Sequence, residues 1–404
     1  MDNAAIQRFL ERCDLDIRKT HNGRTIDQKC TMDVMCLVAD CILEYAGSRT
    51  DGTFTVKDIW YNDYTVENVQ QIFCKPDPAR KASNEYDKYF GQPIKLLDAA
   101  GIIHGERDGR AYRYAIANRE LLEYISFRER NSYSFLCIYI EKVLKDSGIY
   151  EVFKSFFEKQ DKNSFRELKE AYTNFMIKHT PINGATECGR IFTKVLNPLA
   201  CKYRKRGTQR GHLSKDVITQ DMLLYNQKNW RDILKEKPKD VTRREHENGL
   251  QRPDDYMTAY RINRAKKNLR RFNEQYRQGR TELYDRRHIM DPATQMHHIF
   301  PAHEYPAIAD YLENLIALTP TQHFSYAHPN NNTQYIDRNY QYLCLVAKAG
   351  TIRKNLRGAG GEPVIYEFSS FQTVLNTGLG TEAFSAVSDM DFEGLLNRLE
   401  EYYK

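Results

Sequence analysis

The segment between residues 295 and 329 contains five of the chain's eleven histidines. Two of them, His297 and His298, are adjacent, and His323 and His328 follow in the stretch "PTQHFSYAH". An imidazole, with an unperturbed pKa near ~6.5, can take a proton from water at neutral pH or donate a lone pair to a divalent metal ion. These histidines are therefore the residues whose types and spacing could do chemistry. A histidine pair alone is more often structural. The elements around these histidines therefore decide whether the pair has a functional role.

Three short elements would position these side chains. "QMHHIF" has the composition of a strand, and "NLIALT", which starts at Asn314, is a second strand-like run. Pro320 follows at a position where proline can open a helix. A strand, a long loop, a second strand and a helix in this order would bring His298, Asn314 and His323 to one end of a hairpin.

His328 lies five residues beyond His323 on the predicted helix. Side chains three or four positions apart share one helical face, whereas side chains five positions apart do not. We therefore expect His328 not to act as a ligand together with His323. We also expect Pro329, which follows directly, to end the helix.

The order "HHIFP", "ENLIAL" and a histidine nine residues after Asn314 resembles the HNH nuclease motif, whose members have the ββα-metal fold. The resemblance covers residues 291–339, about an eighth of the chain. It implies that His298 is the general base and that Asn314 orients the base or its loop. It also implies that His297 and His323 hold one divalent metal ion, Mg²⁺ or Mn²⁺, on the scissile phosphate. Two imidazole ligands would also admit softer ions such as Ni²⁺ or Zn²⁺.

The sequence departs from a common pattern of this family in one respect. Many members support the motif with two C-x-x-C zinc knuckles, and this sequence contains nine cysteines but no C-x-x-C. We therefore expect ordinary packing to support the hairpin. The cysteine count and spacing also indicate reduced thiols rather than a disulfide framework.

Basic residues are concentrated in two runs, although the net charge is only +6. Residues 261–287 contain ten Lys or Arg and three acidic residues, and residues 202–212 contain no acidic residue. Such runs, interleaved with aromatic residues, favour a nucleic-acid backbone as the partner, although a solvated helix face gives the same pattern. In the first run, the spacing of four residues is close to that of one helical face, and these are Arg264, Lys267, Arg270 and Arg271. The residues that we expect to contact DNA are Arg204, Lys205, Arg206, Arg264, Lys267, Arg270 and Arg271.

The first part of the chain shows helical periodicity followed by a hairpin. "MDVMCLVADCILEY" predicts a helix over residues 32–45, Pro93 suits the first turn of a later helix, and Gly101 suits its end. "IIHGERDGRAYRYAI" then predicts two strands joined at Asp108 and Gly109. This order of elements resembles a winged-helix domain. Such domains bind duplex DNA or mediate protein contacts, and the sequence leaves both roles open.

These patterns predict an α+β protein that is mostly helical. We expect a winged-helix-like DNA-recognition domain over residues 1–126, a helical and basic connector over residues 127–260, and a nuclease domain with a basic lead-in helix over residues 261–404. No stretch has the length and apolar character of a membrane span, and we expect a cytoplasmic protein.

The layout resembles that of a type II restriction endonuclease acting on double-stranded DNA. Enzymes that cut both strands with one site per subunit form symmetric dimers, so the resemblance implies a homodimer. Two alternatives remain at this point. One is a modification-dependent defence nuclease, and the other is a DNA-binding regulator whose histidines hold a structural zinc ion.

Overall fold

The computed structural model describes residues 3–47, 52–73, 83–109, 111–225, 253–285, 291–328, 336–358 and 361–404. The chain divides into two compact units, Met1–Pro253 and Asp254–Lys404. The protein is mostly helical and has small antiparallel sheets, which confirms the predicted α+β class at this level. The division lies a few residues before the predicted start of the nuclease domain, and the predicted boundary after residue 126 lies within the first unit.

Helices make up most of the first unit. Within the described ranges, no helix combines the length and the apolar character that a membrane crossing requires. The first unit's α-helices are Asn3–Leu10, Ile17–Thr20, Met32–Gly47, Val56–Trp60, Asp63–Phe73, Ser83–Ala99, Arg119–Phe127, Glu129–Asp146, Tyr150–Lys159, Lys162–His179 and Ala185–Lys202, and a 3₁₀ turn spans Gln220–Leu223.

A three-stranded antiparallel sheet lies among the earlier helices. Its strands are β1 (Thr53–Phe54), β2 (Ile103–Asp108) and β3 (Ala111–Ile116), in the order β1-β3-β2. The predicted two strands are confirmed, but Asp108, which we predicted in the turn, is the last residue of β2 and pairs with Ala111. Gly109 has φ +62°, a conformation that glycine adopts without steric cost.

The prediction that Pro93 begins a helix is wrong. The helix begins at Ser83 and continues to Ala99, so Pro93 lies in its interior. The reason is that apolar periodicity extends upstream: Tyr86, Phe90 and Leu97 lie on one face and are buried. This packing outweighs the loss of one backbone hydrogen bond at the proline. Gly101, with φ +69°, follows the end of the helix as predicted.

The basic run at residues 202–212 forms the end of a helix and a small hairpin. The hairpin pairs β4 (Arg206–Gln209) with β5 (His212–Val217) in antiparallel register. Arg210 and Gly211 form its two-residue turn, and both have positive φ, as a type I′ turn requires.

The second unit consists of one hairpin surrounded by helices. The hairpin pairs β6 (Gln295–His298) with β7 (Leu315–Leu318) in antiparallel register. The α-helices are Pro253–Arg277, called the basic helix below, Arg338–Leu356, Phe368–Leu379 and Phe392–Tyr403. Short 3₁₀ turns span Pro306–Ile308, Leu312–Asn314 and Ala383–Ala386, and a π-helix spans Gln322–Ala327.

The hairpin is packed tightly against one of these helices. Phe300, which follows β6, is 2 % exposed. A Cβ on Gly378, in the helix Phe368–Leu379, would lie 2.5 Å from the ring of Phe300. Only glycine permits this approach without displacement of the ring, so the end of β6 is held close to the helix backbone.

Candidate metal centre

The hairpin separates the two adjacent histidines. His297 is opposite Ile316, and His298 is opposite Leu315. Because successive residues of a strand point to opposite faces, the two imidazoles have different surroundings. His297 is 3 % exposed, whereas His298 is half-buried.

Three imidazoles meet on the face of His297. His297, His323 and His328 form the histidine cluster, and one ring nitrogen from each lies within 4.8 Å of the others. Their ring centroids are 4.8–5.1 Å apart. His323 Nδ1 is buried and has no hydrogen-bond partner within the part of the chain that the structure describes. A buried polar atom without a partner is costly, which fits a ring nitrogen built to bind a ligand.

The expectation that His328 cannot share a face with His323 is wrong, because the helix is not an α-helix. Residues Gln322–Ala327 form a π-helix, and the backbone N–H of His328 donates to the carbonyl of His323 at 3.2 Å. In this i→i+5 pattern, residues five positions apart are stacked along one face. The helix begins at Pro320, as predicted, and Pro329 lies outside the described residues.

His298 is oriented by a backbone carbonyl. Its Nε2 lies 2.9 Å from the carbonyl oxygen of Ala309. Because a carbonyl oxygen can only accept, Nε2 carries the proton and Nδ1 carries the lone pair. Among the described residues, Nδ1 has no hydrogen-bond partner. His298 is therefore held as a neutral imidazole with a free acceptor nitrogen.

Asn314 closes the loop between the two strands. Its Oδ1 accepts from the backbone N–H of Phe300 at 2.8 Å, and its Nδ2 donates to the carbonyls of Phe300 and Ile308 at 3.0 and 3.2 Å. Asn314 is fully buried. The carbonyl of Ile308 immediately precedes Ala309, so Asn314 fixes the backbone that orients His298.

Burial keeps His297, His298 and His323 neutral. Desolvation lowers the pKa of His298 and of His323 to about 4, and it lowers the pKa of His297 well below its ordinary value. Neighbouring histidines lower the pKa of His297 and His323 further, because a second positive charge in the cluster is unfavourable. Neutral imidazole is the form that binds metal ions or accepts a proton.

Lys266 is a residue that the sequence analysis missed. Its charge lowers the pKa of His297, His298 and His323, so the ammonium lies near all three. Burial lowers the pKa of Lys266 itself. Within the described residues, Lys266 forms no ion pair. Lys266 lies on the basic helix. Its position in the basic run was the one feature of the sequence that could have pointed to it.

Hydrogen bonds and a buried ion pair support the hairpin, in addition to the packing that we expected. The backbone N–H of Glu282 donates to the carbonyl of Ala317 at 2.9 Å, and Glu282 Oε1 accepts from the N–H of Ala317 at 3.0 Å. Lys348 Nζ lies 3.1 Å from Glu282 Oε2, and both side chains are buried. Gln322, next to His323, donates from Nε2 to the carbonyl of Leu283 at 2.9 Å. One short segment therefore ties β7 to the π-helix.

The predicted DNA-binding residues differ in exposure. On the basic helix, Lys267, Arg270 and Arg271 are exposed, but Arg264 is 6 % exposed and its guanidinium lies over the ring of Tyr260. Arg264 therefore does not share the exposed face that the spacing predicted, because it lies where the helix packs on its own unit.

The residues predicted from the other basic run belong to the first unit. Arg204 is exposed and Lys205 is half-buried. The guanidinium of Arg206 donates to the carbonyl of Gln160, so this cation is tied to the end of a helix. Arg204 is therefore accessible to a phosphate, whereas Arg206 already forms a contact within the first unit.

Acidification is expected to destabilise the metal-free second unit. The pKa of His298 and of His323 is about 4 in the folded unit and near ~6.5 in the unfolded chain, so the unfolded chain binds more protons between these values. Stability is fully present above pH ~6.5, and each histidine removes up to about 1.4 kcal/mol per pH unit below it.

Thermal unfolding in EDTA between pH 7.5 and pH 5 measures this effect. The unfolding midpoint should fall with pH, and it should fall less steeply in His323→Phe than in His303→Ala, where an exposed histidine is removed. A midpoint that does not change with pH in this window would refute the argument.

No family model, curated protein or solved structure matches the chain. The residues and the geometry of the site are therefore the basis for its function. Three imidazoles, one of them with an orphaned buried nitrogen, are a donor set that suits a divalent transition-metal ion.

Proposed function

We propose that the protein is a metal-dependent, HNH-type endonuclease that hydrolyses phosphodiester bonds of duplex DNA. The observation that carries this proposal is the arrangement at the hairpin. A three-histidine cluster lies on one face of β6, and an oriented neutral imidazole, His298, occupies the next position on the strand. Ligands and base on adjacent residues can act on the same phosphate from two directions.

In this proposal His298 is the general base. Its Nδ1 takes a proton from water as the water oxygen forms a bond to phosphorus, and the bond from phosphorus to the leaving oxygen breaks. The contact from Nε2 to Ala309 stabilises the imidazolium that forms, because a carbonyl oxygen accepts more strongly from a charged donor. Asn314 acts as a positioning residue through the loop that it closes.

Two positive groups would balance the charge of the phosphate. His297, His323 and His328 would hold the metal ion, which when bound supplies neutralising charge for the phosphate oxygens. Lys266 adds a second cation near the same histidines, and it forms no ion pair within the described residues. An ammonium in a partly buried site stabilises developing negative charge more strongly than one in water.

The first unit would be the part of the protein that recognises DNA. Its helices, three-stranded sheet and β2–β3 hairpin follow the order of a winged-helix domain, and we propose that it contacts DNA. Arg204, Lys205, Lys267, Arg270 and Arg271 are proposed to contact phosphates. Cleavage of both strands, as in a type II restriction endonuclease, would require two chains in a symmetric dimer.

Plasmid cleavage tests the proposal against its alternatives. Supercoiled plasmid, methylated or unmethylated, is incubated with EDTA-stripped protein and then with Mg²⁺, Mn²⁺ or Zn²⁺. A nuclease gives linear or nicked products that require added metal, and dependence on methylation identifies the modification-dependent alternative. Intact plasmid with every metal, together with zinc that survives dialysis, would identify a DNA-binding regulator with a structural zinc ion.

Removal of one cluster histidine is expected to weaken metal binding. His328→Ala and His323→Ala should each lower the affinity for Mn²⁺ or Zn²⁺ by at least the ~10–100-fold that loss of an outer-shell partner costs. Imidazole ligands favour Zn²⁺ or Ni²⁺ over Mg²⁺, so the unaltered chain should bind Mg²⁺ weakly. Calorimetry on the stripped protein measures these affinities.

His303→Ala is the matched control, because His303 is exposed and lies outside the histidine cluster. Its metal affinity should equal that of the unaltered chain. If His328→Ala also binds metal normally while His297→Ala does not, His328 is not a ligand and the three-histidine site is incorrect.

A further inference from the structure

The first unit has an open groove of about 720 Å³. Residues of the helix Ser83–Ala99, of β3 and of the helix Ala185–Lys202 line it. The segment 24–29 and the start of the helix Val56–Trp60 complete the lining. All of these elements belong to one unit, so the groove is a feature of that unit alone.

Among the charged side chains that line the groove, six are positive and three are negative. Three carboxylates also line it, and two of them, Asp27 and Glu187, are paired with Arg24. Asp87 is the third carboxylate, and it is exposed. The lining cations are Arg24, Lys29, Lys57, Lys88, Lys95 and Arg190.

Four of these cations have no counter-ion within the described part of the chain. Lys57, Lys88, Lys95 and Arg190 are exposed and form no ion pair there. Like charges that share one concave surface repel one another, and a bound polyanion relieves this repulsion. The groove therefore has an electrostatic preference for an anionic ligand with several charges.

The spacing of the lysines fits a repeating anion. Lys88 and Lys95 are seven residues apart on one helix, a rise of about 10.5 Å on the same face. Duplex DNA carries one negative charge per about 1.7 Å of its axis, so several phosphates would lie along this distance. Gly91 lies between the two lysines, and a Cβ there would meet open space. A Cβ introduced between the two lysines would therefore displace no neighbouring atom.

An aromatic side chain borders the cations. Tyr112 on β3 is 50 % exposed, and its ring is stacked on that of the buried Tyr114 with centroids 6.2 Å apart. A tyrosine held in this way presents a hydroxyl and a ring face without losing much side-chain entropy on binding. Tyrosine hydroxyls are among the groups that contact phosphates and sugars in protein–DNA interfaces.

We propose that this groove binds the phosphate backbone of duplex DNA, through Lys57, Lys88, Lys95 and Arg190, with Tyr112 against the adjacent sugar. This inference rests on the proposed nuclease function for its choice of ligand. It adds a contact surface to those proposed for the basic helix and for Arg204 and Lys205, and this surface positions the substrate without reading its bases.

Salt dependence of DNA binding tests the groove. The experiment uses the full chain in EDTA, so that binding is measured without cleavage, on a duplex of random sequence. Each lost phosphate contact should flatten the slope of log K against log salt by about 0.9, so Lys88→Ala/Lys95→Ala should flatten it by about two. Gly91→Glu, which places a carboxylate between the two lysines on the helix, should weaken binding at low salt and leave the fold intact.

The matched control removes the same charge elsewhere on the first unit. Lys162→Ala/Arg166→Ala alters two exposed cations of the helix Lys162–His179, outside the groove, and should leave the slope unchanged. An unchanged slope in the lysine variant, in a protein that binds and cuts DNA, overturns the groove and leaves the nuclease proposal standing. Binding through the groove without cleavage in any metal supports the groove and overturns the nuclease. Tighter binding of single-stranded than of duplex DNA, lost in Tyr112→Ala, overturns the choice of duplex DNA.

Discussion

Replacing His298 with alanine is expected to slow cleavage of duplex DNA by about 10²–10⁴-fold, with little change in metal or DNA affinity. The ring of His298 is held by the carbonyl of Ala309 and is not part of the histidine cluster. Its loss therefore removes the proton acceptor and leaves the three proposed ligands intact. Single-turnover cleavage of plasmid at saturating metal measures the rate of the chemical step.

Two further measurements make this result specific to the base. His303→Ala removes an exposed histidine five residues away and should cleave at the normal rate. Calorimetry of His298→Ala should show normal metal binding, since a loss of affinity would identify His298 as a ligand. A His298→Ala protein that keeps more than about a tenth of the rate would exclude it from the role of base.

Local patterns predicted the hairpin well. The run of apolar residues after Asn314 and the pair at His297 and His298 both form strands, and the two strands pair in antiparallel register. These features depend on residues near one another in sequence. The sequence therefore contains enough information for the strands, for the order of the site residues and for the helix that follows.

The position of His328 could not be derived in the same way. An α-helix and a π-helix differ by one residue in their hydrogen-bond pattern, and the residues of "TQHFSYAH" do not favour one over the other. Long-range contacts of Gln322, from Thr281 and to Leu283, hold the start of this helix. The ligand set thus depends on a tertiary contact more than on spacing.

The basic helix shows the same limit of prediction from sequence. Lys266 and Arg264 both belong to a run whose composition predicted an exposed, DNA-binding face. In the structure Lys266 lies near the histidines and Arg264 is buried against Tyr260. Periodicity shows which residues share a face, but it does not show what that face contacts. That information comes only from the packing of the second unit.

Replacing Lys348 with methionine is expected to destabilise the second unit by about 3 kcal/mol, the lower end of the range for breaking a buried ion pair. The carboxylate of Glu282 would remain buried without its ammonium, and its nearest remaining cation would be Arg277, with Nη1 3.8 Å away. For a unit of this size, such a loss lowers the unfolding midpoint by roughly 6–12 °C. Because Glu282 also holds β7, cleavage activity should fall before the unit unfolds.

Calorimetric unfolding of three variants separates the buried charge from the hydrogen bonds around it. Lys404→Met removes an exposed lysine paired with Glu400, and it should leave the unfolding midpoint nearly unchanged, because solvent screens this pair. Glu282→Gln/Lys348→Met should recover stability relative to Lys348→Met, because glutamine keeps the acceptor for the N–H of Ala317 and leaves no buried charge. If Lys348→Met is no more destabilising than Lys404→Met, the ion pair does not support the hairpin. If the double variant is less stable than Lys348→Met, the charge of Glu282 stabilises β7 even without its lysine, and the lost stability would have to be assigned to packing around Lys348.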